Sequence, residues 1–267
     1  MKKNVCIMIT IITLASTAFV VKPGTTLVAA PGGVSVVDIF TRLREVLEYS
    51  AQRYFRVEES VYASLIAPPL PLINANNMLE RDFRPEKMID ISQYVRSQRS
   101  PLWLDEAAGN AFISMVSSMH EYGITNMAAI SGFRDWDHQY TLHNNQINRF
   151  AQRMPLGEAR IQAATVVAPP GASEHQSGLA IDVSSACIGF ALSERFENTD
   201  SFRWLASNAH MYGFIIRYPR DSMEITGVIF EPWHLRYVGS EHASRIFESG
   251  LVLEEYLEEY GRGAWSE

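Results

Sequence analysis

Apolar residues recur at intervals of three to four positions in several stretches of the chain. This spacing places them on one side of a helix and predicts five helices, at residues 38–65, 105–122, 134–154, 200–211 and 240–249. Three of these helices are followed directly or after one residue by a glycine, the residue that most readily ends a helix, namely Gly123, Gly213 and Gly250. Asp200 or Ser201 can cap the start of the fourth helix.

Shorter apolar runs between these helices predict β-strands, at residues 127–130, 165–168, 179–183, 214–218, 228–230 and 233–238. Thr226-Gly227 is expected to join strands 214–218 and 228–230. Strands and helices mix without the regular alternation of parallel-sheet proteins. The pattern therefore predicts an α+β fold with a small antiparallel sheet flanked by helices.

The N-terminal segment differs from the rest of the chain. Lys2 and Lys3 precede an uncharged, mostly apolar run over residues 5–21, which is typical of an export signal. Residues 1–30 are therefore expected to be a signal peptide or an uncleaved N-terminal membrane anchor of an exported protein, extracellular or in the cell envelope. No later run is long enough to span a bilayer, so membrane contact is expected only through this segment.

The remaining chain divides into three parts. Residues 31–70 are expected to form a linker and an N-terminal helix, ended by a proline-rich stretch. Residues 71–260 are expected to form one compact domain, and residues 261–267 a C-terminal tail.

Composition and charge exclude several classes of protein. Hydrophobic residues make up 47% and charged residues 20%, a globular composition. Residues 1–30 contain three lysines and no acidic residue, so 20 basic and 30 acidic residues remain without them. An acidic chain is not attracted to nucleic acid or to anionic polymers. We therefore expect no nucleic-acid partner, and a small substrate must be held by local charge.

Two segments concentrate residues that can bind a metal ion. The first holds His175 and Asp182, seven positions apart, and the second ends at His234. Two imidazoles and a carboxylate suit zinc, and three protein ligands leave its fourth position open, as in catalytic sites. By spacing alone, a set of ordinary hydrogen-bonded residues remains the alternative.

Two further residues, Glu231 and Arg134, are candidates for a catalytic role. Glu231 lies three residues before His234, where it can serve as a general base for water, and Pro232 argues against a regular helix there. Arg134 follows a predicted strand and turn and can bind a substrate carboxylate or a developing oxyanion. A lone arginine is otherwise most often a salt-bridge partner.

In order, these segments resemble the VanY-type D-alanyl-D-alanine carboxypeptidases. The resemblance covers about residues 71–260 and rests on three motifs: Ser131-Gly-Phe-Arg134 with Gln139, Ser173-x-His175-x-x-Gly178-x-Ala180-x-Asp182, and Glu231-Pro-Trp-His234-x-Arg236-Tyr237-Val238-Gly239. The fold that it implies is the small α+β zinc-peptidase fold shared with the N-terminal signalling domain of hedgehog proteins.

The resemblance also implies a Zn²⁺ ion held by three side chains, those of His175, Asp182 and His234. It implies Glu231 as general base and then acid, and Arg134 near the scissile carbonyl. It suggests that Ser173 and Gln139 lie near the substrate. The implied reaction is hydrolysis of the C-terminal amide of peptidoglycan stem peptides, which releases D-alanine.

Several alternatives stay open at this point. The three motifs do not separate a D,D-carboxypeptidase, acting on stems that end in D-Ala-D-Ala, from an L,D-carboxypeptidase, acting on tetrapeptide stems. A non-catalytic wall-binding or signalling module that keeps the zinc is a further alternative, although Glu231 argues against it. A structural zinc domain would need four protein ligands. The sequence does not determine the oligomeric state.

Other polar residues receive a structural interpretation. Five histidines are expected to be packed or solvated and not to bind metal, namely His120, His138, His143, His210 and His242. Trp233 is expected to belong to the core. The acidic run at residues 254–259 is expected to form a solvated helix face.

Overall fold

The structure is a computed structural model, and it describes residues 70–261. The predicted export segment, the predicted helix at residues 38–65 and nearly all of the tail lie outside the described residues.

A four-stranded antiparallel sheet forms the centre of the described region. The described region contains six strands in two sheets: β1 (Met88–Asp90), β2 (Trp103–Asp105), β3 (Met127–Ser131), β4 (Ala180–Ser185), β5 (Phe214–Tyr218) and β6 (Glu231–Tyr237). The central sheet has the order β3-β4-β6-β5, and β1 pairs with β2 in a separate antiparallel pair. The predicted α+β fold with a small antiparallel sheet is confirmed.

Helices surround this sheet. They are α1 (Glu106–Glu121), α2 (Trp136–Ala151), α3 (Leu156–Ala164), α4 (Asp200–Asn208), α5 (Met223–Thr226), α6 (Ser240–Ser249) and α7 (Leu253–Tyr256). The helices predicted at 105–122, 134–154 and 240–249 are confirmed as α1, α2 and α6. No helix within residues 70–261 combines the length and the apolar character needed to cross a bilayer.

The hydrophobic core lies between α1 and one face of the central sheet. Phe112 of α1 contacts Phe214 of β5 edge to face, with ring centroids 6.1 Å apart. Ile181 and Val183 of β4 are fully buried in the same cluster. Because side chains alternate along a strand, Asp182 between them points to the opposite face. The core therefore occupies one face and leaves the other for polar side chains.

The predicted strands at 165–168 and 228–230 are wrong. The first segment is a turn after α3, and the second is irregular chain that leads into β6. A single backbone hydrogen bond joins them, from Ile229 N to Thr165 O at 3.0 Å. Thr226 and Gly227 end the short helix α5 and do not form a hairpin turn. Short apolar runs do not by themselves distinguish a strand from buried irregular chain.

The start of α4 also differs from the prediction. The cap is Thr199, whose side chain accepts a hydrogen bond from Phe202 N, and not Asp200 or Ser201. The helix then continues as a 3₁₀ turn over Ala209–Tyr212, which ends at Gly213 as predicted. Four elements were not predicted: β1, β2, α3 and α5. Three of them contain only three or four residues, too few to show a period.

Candidate functional site

Three potential metal ligands meet on the polar face of the central sheet. His175 Nε2 lies 3.2 Å from Asp182 Oδ2, and His234 Nδ1 lies 3.1 Å from Asp182 Oδ1. One donor atom from each residue lies within 4.8 Å of the others. The three residues are buried, with 1%, 3% and 4% of their surface exposed in the order His175, Asp182, His234. The structure thus brings together three residues that the sequence singled out.

Strand pairing places two of the three. Asp182 on β4 and His234 on β6 are direct partners in the antiparallel register, so their side chains lie side by side on one face. His175 comes from the 3₁₀ turn at Glu174–Ser177, which ends at Gly178 with a φ of 72°. A Cβ at Gly178 would lie 2.8 Å from Asp105 N, so both the conformation and the space require glycine.

His175 is held in one orientation. Its Nδ1 donates a hydrogen bond to the carbonyl of Gly132 at 2.7 Å, and a carbonyl can only accept. The opposite nitrogen, Nε2, is buried and makes no hydrogen bond within the described region, although Asp182 is near. Arg134 N in turn donates to the His175 carbonyl at 3.2 Å. The turn after β3 therefore fixes His175 at two points and leaves Nε2 free to bind a metal.

The surroundings shift the pKa of each ligand. Burial alone would raise the pKa of Asp182, but His175 and His234 hold it well below its usual range. Burial, together with the charge of Arg134, lowers the pKa of His175 to about 4. Burial also disfavours the charged form of His234, but hydrogen bonds to Asp182 and Glu174 raise its pKa to about 9. At neutral pH these shifts leave Asp182 ionised and His175 neutral, the forms that bind a metal, and His234 protonated, so that zinc binding displaces a proton from His234.

The donor set fits zinc. Two imidazole nitrogens and a carboxylate oxygen are ligand types that zinc prefers, and the buried Nε2 of His175 makes no hydrogen bond among the described residues. The group found in residues 70–261 has three members, whereas a structural zinc site has four protein ligands. The arrangement is therefore that of a catalytic site with one open position. The structural-zinc alternative finds no support in the described region.

Glu231 lies at the edge of this group. Its Oε2 is 3.9 Å from His234 Nδ1, and only 7% of its surface is exposed. In a regular strand, residues three apart point to opposite faces. Here the pairing between β5 and β6 shifts register. Ile216 pairs with Leu235 and Tyr218 pairs with Glu231, so two residues of β5 span the same distance as four residues of β6. This bulge brings Glu231 to the side of His234.

The burial of Glu231 changes its acidity. Burial raises the pKa of this carboxyl to about 8, while the nearby charges of His234 and Arg134 act in the opposite direction. A carboxyl with a pKa near neutral suits a group that both takes up and returns a proton.

Arg134 lies between β3 and α2, beside the ligand group. Its Nε is buried and has no hydrogen-bond partner in the described part of the chain. Burial lowers the pKa of this guanidinium, and the charges of Asp182 and Glu231 support its protonated form. An arginine held near two acids with a free donor is placed to bind an anionic group that enters the site.

The two remaining predicted site residues are also buried. Ser173 precedes the turn that carries His175, and its side chain does not cap that turn. Gln139 Nε2 donates to the Ala168 carbonyl at 2.7 Å, while its Oε1 has no partner within residues 70–261. Gln139 thus ties α2 to the loop before Ser173. A substrate contact of either residue stays a prediction.

Sequence reasoning missed a third carboxylate at this site, beside those of Asp182 and Glu231. Glu174 Oε2 lies 3.3 Å from His234 Nε2, and its Oε1 accepts hydrogen bonds from Arg217 and Arg236. Burial alone would raise the pKa of Glu174, but Arg236 and Arg217 hold it well below its usual range. The signal in the sequence was an arginine in each of two predicted strands, one of which is otherwise apolar.

The prediction for the acidic run is wrong at Glu254. Both of its carboxylate oxygens accept hydrogen bonds from Arg217, at 2.8 and 2.6 Å, and its side chain is 13% exposed. In the described chain the other five histidines do not belong to the ligand group. Trp233 packs against the core, as predicted.

Comparisons with known proteins agree with this geometry. The sequence model of one family, described as VanY: D-alanyl-D-alanine carboxypeptidase, matches residues 101–240. The protein YodJ of Bacillus subtilis is 37% identical over 191 residues, which cover 71% of this chain and 67% of YodJ. A D-alanyl-D-alanine carboxypeptidase of Enterococcus faecalis is 43% identical over 128 residues, 48% of this chain and 46% of that protein. The chain thus spans two thirds of the first relative and about half of the second.

Solved structures share the fold. An LdcB LD-carboxypeptidase has a TM-score of 0.63 and 36% identity, covering 70% of this chain and 84% of that one. VanYB in complex with D-alanine-D-alanine has a TM-score of 0.61 and 32% identity, covering 72% and 98%. A vancomycin resistance D,D-pentapeptidase VanY variant in complex with Zn(II) has a TM-score of 0.58 and 33% identity, covering 70% and 98%. The expected zinc-peptidase fold is confirmed.

Proposed function

The chain belongs to the VanY family of D-alanyl-D-alanine carboxypeptidases, and we propose that it is a zinc-dependent enzyme that removes the C-terminal D-alanine from peptidoglycan stem peptides. The observation that carries this proposal is the buried group of His175, Asp182 and His234, with Glu231 at its edge. A non-catalytic module would have no use for a base in that position.

Each side chain has a role in the proposed reaction. His175, Asp182 and His234 would hold the zinc ion, which when bound would polarise a carbonyl and lower the pKa of water. Glu231 accepts a proton from the attacking water and returns it to the amine of the leaving D-alanine. Its burial beside His234 excludes bulk water from that transfer.

Arg134 stabilises negative charge on the substrate in the proposed reaction. Its guanidinium donates hydrogen bonds to the oxyanion that develops at the scissile carbonyl, or to the substrate carboxylate. Because its Nε has no other partner in the described residues, a hydrogen bond to substrate would not break an existing contact.

Two substrates compete within this reaction class. The VanYB structure holds D-alanine-D-alanine, and the family takes its description from that substrate, which favours a D,D-carboxypeptidase. The similarity to an LdcB LD-carboxypeptidase favours an L,D-carboxypeptidase acting on tetrapeptide stems. We propose the D,D activity as the main one and keep the L,D activity as the second candidate.

Product analysis tests the function directly. The purified protein is incubated with pentapeptide and tetrapeptide stems, and the products are identified by mass. We expect the pentapeptide to lose one alanine residue, about one zinc per chain, and a loss of activity on chelation that zinc restores. Trimming of the tetrapeptide alone would establish the L,D activity instead. Intact stems after incubation with a zinc-loaded protein, or activity in a metal-free preparation, would contradict the proposal.

We further propose that the protein is exported and reaches its substrate outside the cytoplasm, with membrane contact only through the N-terminal segment. The support is the pair Lys2 and Lys3 before the apolar run at residues 5–21. Fusing residues 1–35 to a reporter that is active only outside the cytoplasm is expected to give an active reporter. A reporter that stays inactive, while the same fusion to a known export signal is active, would refute export.

A further inference from the structure

Glu174 is a buried acid that the proposed reaction does not use. Its side chain has no exposed surface, and it is the neighbour of His175 in the chain. Oε1 accepts hydrogen bonds from Arg217 Nε at 2.7 Å and from Arg236 Nη1 at 2.6 Å. Oε2 faces His234 Nε2 at 3.3 Å. One oxygen is therefore held by two arginines, and the other is directed at a metal ligand.

The arginines are themselves held in place. Arg217 and Arg236 have no exposed side-chain surface. Arg217 binds both carboxylate oxygens of Glu254, and Arg236 donates to the carbonyls of Pro71 and Tyr237. The two acids and two arginines balance in charge. The cluster also joins β5, β6, the turn at Glu174–Ser177 and α7.

A buried cluster of this kind needs an explanation other than stability. Removing charged groups from water carries a large cost, and apolar residues of similar size often stabilise a protein as much or more. Fixed charges do, however, define the position of the groups that they contact. Here the contacted group is His234, which lies two residues before Arg236 on the same face of β6.

His234 has two nitrogens in different surroundings. Nδ1 lies 3.1 Å from Asp182 Oδ1, on the side of the other ligands, whereas Nε2 lies 3.3 Å from Glu174 Oε2. Metal-binding histidines usually donate the other ring N–H to a carboxylate or a carbonyl, which fixes the tautomer and the ring orientation. The Gly132 carbonyl does this for His175.

We propose that Glu174 is a positioning residue that accepts the Nε2–H of His234, so that Nδ1 is the nitrogen presented to zinc. Arg217 and Arg236 hold the Glu174 carboxylate in place, and Glu254 on α7 holds Arg217. This inference rests on the proposed zinc site, but it concerns zinc affinity and not the choice of substrate.

Zinc affinity measured by competition with a chelator tests the proposal without any assay of turnover. Glu174→Asp keeps the negative charge for the arginines and shortens the side chain by one methylene, so the contact with His234 is lost. We expect the Kd for zinc to rise about 10- to 100-fold, the range typical for loss of such a partner. Glu174→Gln, which keeps the length and loses the charge, is expected to weaken zinc binding in the same direction.

Glu254→Gln is the matched control. This variant removes a carboxylate from the same cluster but leaves the direct contact between Glu174 and His234 intact. We expect a lower melting temperature with a zinc Kd within about threefold of the parent, well below the loss expected for a direct partner. Equal shifts of Kd in the Glu174 and Glu254 variants would show that the cluster acts through general stability, and would overturn the positioning role.

If the variants fail to fold, ¹⁵N NMR of the histidine side chains in the parent protein still tests the proposal, because it shows which ring nitrogen of His234 carries a proton and which binds zinc. In the zinc-loaded protein, the His234 ring is expected to carry its proton on Nε2 and to bind zinc through Nδ1. A ring that binds zinc through Nε2 would refute the proposal. A parent protein that binds no zinc would refute the proposed function itself, whereas a zinc-bound parent with an unchanged Kd in the folded Glu174→Asp variant would refute this inference alone.

Discussion

Glu231→Gln is expected to lower kcat by at least about 10²-fold while the protein keeps its fold and its zinc. The amide has nearly the size and shape of the carboxylate, but it cannot take up the proton of the attacking water. Glu231 is not a member of the three-residue ligand group, and its nearest contact with that group is 3.9 Å from His234. Loss of turnover with full zinc content is therefore the expected signature.

Two further variants serve as controls for this result, one expected to keep full activity and one expected to lose zinc and activity. Glu121→Gln makes the same change at an exposed position at the end of α1 and is expected to leave kcat unchanged. His234→Ala removes a ligand and is expected to lose both zinc and activity. Metal analysis, circular dichroism and steady-state kinetics on all three variants provide the comparison. A near-parental kcat for zinc-loaded Glu231→Gln would show that another group is the base.

Arg134→Lys is expected to cost activity nearly as much as Arg134→Ala. Loss of one donor to a developing oxyanion typically lowers kcat about 10²- to 10³-fold. Lysine keeps the charge but not the planar fork of the guanidinium, so it cannot reproduce paired hydrogen bonds to a carboxylate or an oxyanion. Zinc content and melting temperature are expected to stay close to the parent, because Arg134 Nε has no structural partner among residues 70–261.

The opposite role gives the opposite result. If Arg134 served only to stabilise the fold, its variants would melt at a lower temperature and keep their turnover wherever they remain folded. Arg149→Lys, at an exposed position near the end of α2, controls for the chemical change alone. Kinetics and thermal melts on the three variants decide the question, and near-parental turnover of folded Arg134→Lys would remove Arg134 from the site.

Secondary structure was predictable where the periodic pattern was long. The helices α1, α2 and α6 each span at least ten residues, so their apolar face repeats often enough to be recognised. The segments at 165–168 and 228–230 have strand-like composition but join each other through one hydrogen bond and pair with no strand of the sheet. A segment becomes a β-strand only when its backbone hydrogen-bonds to a neighbouring strand, and the local sequence pattern does not show whether the fold supplies such a neighbour.

The chemical types at the site could be predicted from the sequence by itself. His175 and Asp182 lie within one short motif, and Glu231 lies three residues before His234, so ligand and base candidates are evident from local spacing. Zinc suits these donor types, but spacing alone left a set of ordinary hydrogen-bonded residues as the alternative, and the resemblance to the VanY family is what favoured the metal site. The α+β class follows from the mixture of long helical and short apolar segments.

Only the tertiary structure decided how these residues meet. Antiparallel pairing of β4 with β6 sets Asp182 opposite His234, and a bulge in β6 moves Glu231 to their side. The contact between Glu174 and His234 joins residues 60 positions apart, and Glu254 reaches Arg217 across 37 positions. The physical reason is that a buried charged group is stable only when it is paired with an opposite charge or a hydrogen-bond partner. The sequence around each residue does not show which distant residue the fold brings to it.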